Sequence, residues 1–126
     1  MNDRRQLPRL RLRRKVWLRW RGGRVADLWT HDMSRAGVQV LSPWRADEGD
    51  EFVLLMKVPD HDGIFVDIEA QVQVAHCVYD SSAGEFRIGL RFVAFAGEGE
   101  RLFHHYLDQQ LHRRYESRAG RSLVLR

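Results

Sequence analysis

The feature that most limits what this chain can fold into is an unbroken alternation between residues 64 and 78. Ile64, Val66, Ile68, Ala70, Val72, Val74, His76 and Val78 share one parity, while Asp67, Glu69, Gln71 and Gln73 share the other. A period of two sends successive side chains to opposite faces, so this is a long strand, dry on one side and wet on the other. Such a strand needs neighbours with the same one-sided pattern, and the chain supplies them. Val16, Leu18 and Trp20 alternate with Trp17, Arg19 and Arg21; Gly22-Gly23 then gives a hairpin turn, and Arg24 to Trp29 resumes as a strand. His31 to Gly37 reads as a polar loop, and Val38 and Val40 begin a short strand ended by Pro43. Phe52, Leu54, Met56 and Val58 alternate up to the Pro59-Asp60-His61-Asp62-Gly63 turn. After a second turn over Asp80 to Gly84, Phe86, Ile88, Leu90 and Phe92 form the last alternating run. Successive hairpins imply antiparallel pairing, and about six such strands close into a small barrel.

The expectation is therefore a mainly β chain, a six-stranded antiparallel β-barrel over residues 10–95. From Glu100 the period changes: Phe103, Leu107 and Leu111 recur every four residues with Tyr106 beside them, which predicts an amphipathic C-terminal helix over 99–115. The tail from Glu116 is expected to fray. Residues 1–9 lack an apolar period and contain Pro8, so they read as a flexible arm. At 126 residues the chain, 1–126, is read as one domain.

Charge separates the arm from the rest. Residues 1–24 hold nine arginines and one lysine against Asp3 alone, whereas the chain as a whole is only +4. The remainder is thus net acidic, and an anionic partner is expected at one end of the chain. Arginine dominates that stretch, and its planar fork suits phosphate and purine recognition better than lysine does. With 44% hydrophobic residues the chain is expected to fold. No apolar run approaches a membrane span, and no secretory leader is read at the N-terminus. A lone Cys77 cannot make an internal disulfide, which favours a cytoplasmic setting.

Two short sequences carry the functional reading. Arg4-Arg5-Gln6-Leu7-Pro8-Arg9 contains an RxxxR spacing, Arg5 to Arg9, with Arg4 directly before it; Asp32-Met33-Ser34-Arg35-Ala36-Gly37 is a DxSxxG segment. Each alone is weak, since RxxxR is common in arginine-rich stretches and DxSxxG can be a polar turn. Together they resemble the PilZ domain family, whose signature is that pair in that order. Arg87-Ile88-Gly89-Leu90-Arg91-Phe92 is similar to the family's late barrel strand. The resemblance runs from about Arg4 through the helix. It implies a PilZ-like split barrel with a C-terminal helix that binds cyclic di-GMP between arm and barrel, and two molecules per chain are expected.

The residues suit that ligand on their own chemistry. Arg5 and Arg9 can fork onto guanine O6 and N7, stack on a purine or clamp a phosphate. Asp32 can accept from guanine N1–H and N2–H₂ or hold an arginine; Ser34 offers a small hydroxyl; Gly37 permits positive φ or a close backbone approach. Arg4 divides between solvent and a second, stacked ligand, a role the resemblance attaches to a basic residue before RxxxR. His76 lies on the apolar parity of its strand, either as a core histidine or as a ring packing on guanine. No metal site is expected from His31, His104, His105 or His112, no cofactor beyond the ligand, and no catalysis, because no P-loop, GxSxG or HExxH is present. The reading is a ligand-gated adaptor whose output is a protein partner in motility, adhesion, exopolysaccharide or chemotaxis machinery. Its rivals are a PilZ-like interaction module without ligand and a small barrel that binds single-stranded nucleic acid through the arm and Trp17 or Trp29.

Overall fold

The computed structural model describes residues 8–124, with side chains to residue 116. Its strands are β1 (Lys15–Arg19), β2 (Val25–Met33), β3 (Gly37–Ser42), β4 (Glu51–Pro59), β5 (Phe65–Asp80) and β6 (Glu85–Phe95), followed by helix α1 (Gly99–Val124). They close into a barrel in the order β1-β2-β3-β6-β5-β4, with β1 also pairing β4, and every pairing is antiparallel. The expected six-stranded barrel with a C-terminal helix is thus the fold.

Alternation explains the core. Val16 and Leu18 of β1, Val38 and Val40 of β3, Leu54, Met56 and Val58 of β4, and Ile68, Ala70, Val72 and Val74 of β5 all point inward and are buried. The β1–β2 hairpin turns on Gly22 and Gly23, whose φ values of 97° and 92° suit residues without a Cβ. The first turns of α1 close one end of the barrel. Phe103, Tyr106 and Leu107 are buried there, and Phe103 meets Phe92 edge-on at 5.0 Å.

Three expectations need correction. β2 runs on through His31, Asp32 and Met33, which read as a loop in the sequence, because those residues find backbone partners in β3 and in the segment before β1. Asp32 and Met33 pair with Gln39 and Val38, and Met33 exchanges both backbone hydrogen bonds with Leu10, at 2.8 and 3.0 Å. The register slips by one residue at His31, a bulge. The helix does not fray at Glu116 but continues to Val124; arginine, glutamate and alanine are adequate helix formers. Leu111, placed on the buried stripe by its spacing, is 44% exposed, because α1 has by then passed the rim of the barrel.

The segment before β1 is stitched down. Thr30 Oγ1, fully buried, donates to the Leu12 carbonyl and accepts from the Arg14 N–H at 2.8 Å. The Arg14 guanidinium donates to Tyr106 Oη and to the Lys57 carbonyl, both at 2.6 Å, which ties the entry to β1 to the helix.

Candidate functional site

Backbone geometry brings the two sequence motifs together. The Leu10–Met33 bridge sets Arg9 beside the end of β2, where its guanidinium lies 3.5 Å from Asp32 Oδ1. Asp32 is buried, and its other oxygen, Oδ2, is 2.8 Å from His31 Nδ1. Among the described residues, Oδ1 is buried without a hydrogen-bond partner and has only the longer ion pair to Arg9. A buried carboxylate oxygen left in that state is costly unless something donates to it. Ser34, also buried, accepts from the Ala36 N–H at 3.2 Å, while its own N–H donates to the Gly37 carbonyl at 2.8 Å.

Gly37 begins β3 directly opposite Arg91 of β6. Its φ is not in the left-handed region; the glycine is required instead by proximity. A Cβ there would stand 2.2 Å from the Leu90 carbonyl oxygen and 3.2 Å from Arg91 Cα. Of the two reasons the sequence offered for this glycine, close approach is the operative one.

His76 is the site residue whose environment differs most from expectation. Val74 pairs with Leu90, but His76 pairs with Gly89, so Ala75 is an extra residue in β5 and the parity inverts beyond it. His76 is therefore exposed and not a core histidine. Its ring lies over the bare backbone of Gly89, where a Cβ would come within 2.1 Å of the imidazole. Arg9, Ser34, Gly37 and His76 then line one cavity of about 260 Å³, together with Ala36, Ala75, Gly89, Leu90 and Arg91. Asp32 adjoins it through Arg9. Arg4 and Arg5 lie outside the described residues.

Two residues that sequence reasoning quoted without assigning a role belong to this wall. Gly89 makes room for His76, and Arg91 is exposed, donating to Gln73 Oε1. The signal was available in the Gly-Leu-Arg triplet on an outward parity, but only the pairing of Gly37 with Arg91 reveals that it faces the DxSxxG segment. Arg35 is spoken for: it forks onto Asp108 of α1 at 3.0 and 2.9 Å. The wall thus offers two cations, a ring, a hydroxyl and a carboxylate oxygen in want of a donor. That set can hold an anion that also carries a planar base with N–H groups.

Trp29, one of the two rings invoked for nucleic-acid stacking, is less available than expected. Arg13 sits 4.5 Å and Lys15 4.9 Å from the Trp29 ring centre, so the chain's own cations occupy that ring. No helix among the described residues is long and apolar enough to cross a membrane.

The fold is one that known proteins share. The chain is similar in structure to the Bacillus subtilis inhibitor of motility MotI/DgrA (TM-score 0.69, 18% identity, covering 86% of this chain and 52% of that one). It also resembles the PilZ domain of Escherichia coli YcgR, a structure with c-di-GMP (TM-score 0.59, 18% identity, 90% and 97% covered). A third relative is the K. pneumonia MrkH–c-di-GMP complex (TM-score 0.62, 16% identity, 84% and 51% covered). The chain therefore spans about half the length of MotI and MrkH. None of the curated proteins compared matches it in sequence. The model of the PilZ domain family matches residues 3–109, which include both motifs, all six strands and the buried turns of α1, and the chain belongs to that family.

Proposed function

We propose that this chain is a receptor for cyclic di-GMP, a binding protein and not a catalyst. Arg5 and Arg9 take phosphate and guanine edges, Asp32 accepts from guanine N–H groups or holds Arg9, and Ser34 and Gly37 form the floor. His76 packs on a base, and Arg91 supplies a further cation. The observation that carries this reading is the convergence of Arg9, Ser34, Gly37, His76 and Arg91 on one cavity beside Asp32 Oδ1, which has no hydrogen-bond partner among the described residues. The structures of the YcgR PilZ domain with c-di-GMP and of the MrkH–c-di-GMP complex lend it support.

Two ligands bind per chain. One molecule has two phosphates, but Arg4, Arg5, Arg9 and Arg91 offer more cations than it needs. A stacked pair brings four phosphates together, and their repulsion calls for the extra charge, with Arg4 serving the second molecule. Binding neutralises the arm and fixes it on the barrel. A protein partner in motility, adhesion, exopolysaccharide or chemotaxis machinery, meeting the chain in the cytoplasm, then reads the messenger as a population shift.

Calorimetric titration tests the stoichiometry. The wild-type endpoint is two ligands per chain, and Arg4→Leu lowers it to one without abolishing binding. A wild-type endpoint of one, or an Arg4→Leu endpoint still at two, removes Arg4 from the site.

A further inference from the structure

Asp32 is the carboxylate of the proposed site, and a feature of β2 decides which way it faces. Thr30 and Asp32 are two residues apart, so on an unbroken strand both would point to the same face. Thr30 pairs with Val40 and is 1% exposed, on the core side. The register slip at His31 sets Asp32 opposite Gln39 instead, which lies on the outer parity of β3 between the buried Val38 and Val40. His31 is therefore the extra residue that turns Asp32 out of the core and towards Arg9.

Neighbouring residues of a regular strand face opposite ways and do not meet. The bulge lifts that restriction. His31 Nδ1 lies 2.8 Å from Asp32 Oδ2, the one hydrogen bond this carboxylate makes among the described residues. An ionised carboxylate only accepts, so the proton of that bond sits on the imidazole Nδ1. The contact is sheltered, with the two side chains 18% and 9% exposed. The last torsion of an aspartate is broad and soft, and an ion pair at 3.5 Å is too long to fix it as a hydrogen bond would. Holding Oδ2 fixes the plane of the carboxylate and leaves Oδ1 as the oxygen presented to Arg9.

We propose that His31 is a positioning residue of this site. It donates through Nδ1 to Asp32 Oδ2 and so holds Oδ1 ready to accept from the ligand's N–H groups. The role rests on the cyclic di-GMP reading. A carboxylate already set in place loses no freedom when ligand arrives, so His31 raises affinity through Asp32 and not by touching the ligand.

Two replacements separate a donor from mere bulk. Asparagine carries an amide nitrogen where histidine carries Nδ1, whereas leucine fills space without a donor. In calorimetric titration with cyclic di-GMP, His31→Leu weakens binding by roughly tenfold, while His31→Asn stays within about threefold of the wild type. A packing role gives the reverse order. Long-range proton–nitrogen correlation of the ligand-free protein reads the bond itself and needs no variant to fold. Nδ1 carries the imidazole proton in the wild type, and in Asp32→Ala that preference is lost. His31→Leu binding like the wild type, His31→Asn binding no better than His31→Leu, or a wild-type Nδ1 without its proton overturns the proposal. A wild type that binds no cyclic di-GMP while Nδ1 keeps its proton overturns the proposed function, and the role of His31 falls with it.

Discussion

Two segments of this barrel are written in nearly the same residues and end in opposite states. Asp80-Ser81-Ser82-Ala83-Gly84 joins β5 to β6, and Asp32-Met33-Ser34-Arg35-Ala36-Gly37 joins β2 to β3. In the first, the aspartate is fully employed. Asp80 Oδ1 accepts from Ser82 Oγ at 2.6 Å, Ser82 N at 3.1 Å and Ala83 N at 3.2 Å, and Oδ2 accepts from Arg87. Its glycine sits at φ 69°, as a tight turn requires. In the second, the aspartate is buried with Oδ1 unpartnered among the described residues, and the glycine is there to let two backbones touch. The first segment consumes its polar groups in making a turn. The second leaves a polar group open to a donor, and such a group beside a cavity marks a candidate site.

The largest expected contrast is between the two glycines. Gly37→Val drives a side chain into the Leu90 carbonyl, so it destabilises the fold by about 2–3 kcal/mol or more and abolishes ligand binding. Gly84→Ala forces an L-residue into the left-handed region in open space, costing about 1–2 kcal/mol and leaving affinity unchanged. Chemical denaturation and calorimetry on both variants read this directly, and equal effects on binding would erase the distinction.

Next comes the cation that Asp32 holds. Arg9→Ala weakens cyclic di-GMP binding by about 1.5–3 kcal/mol, the scale of hydrogen bonds to a charged group. Because Arg9 is 45% exposed, stability without ligand falls by less than about 1 kcal/mol. If the apo protein unfolds while affinity persists, Arg9 belongs with the structural residues.

The smallest effect belongs to Asp80. The Ser82 hydrogen bonds, then Arg87 and the Ala83 N–H, lower its pKa from 3.8 to about 2. A carboxylate depressed in the folded state stabilises it above the unfolded pKa, and that contribution is lost as pH falls from about 3.8 towards 2. Asp80→Asn should therefore flatten the acid limb of a stability–pH curve in that window and leave binding at neutral pH untouched. An unchanged acid limb would show that the turn's carboxylate is no better held than a free one.

Local sequence carried most of the architecture, because alternation reports which face of a strand is dry. Val16 to Leu18, Phe52 to Val58 and Ile68 to Val74 bury the residues that their parity selects. It failed where the period itself breaks. Reading straight through Ala75 turns His76 inward, and nothing in Val74-Ala75-His76 announces the bulge that turns it out. Pairing with Gln39 and Val38 across a bulge makes Asp32 and Met33 strand, and the second partner of Met33, Leu10, lies far back in the chain. Helical spacing finds the apolar face of Leu111 but not where the barrel beneath it stops. The motif residues Arg9, Asp32, Ser34 and Gly37 were legible because their order is a family signature; Gly89 and Arg91 needed the register of β6 against β3 and β5.

The central claim is that the groups on this wall read guanine. Titrating the chain with cyclic di-GMP and, separately, with cyclic di-AMP tests it most directly. Adenine replaces the O6 acceptor with an N6 donor and removes the N2 donor, so an arginine fork loses a bond and Asp32 loses its partner. The account predicts saturable binding of cyclic di-GMP and at least about tenfold weaker binding of cyclic di-AMP, the loss expected from one hydrogen bond of this class. Equal affinity for the two, or no binding of cyclic di-GMP, would contradict it.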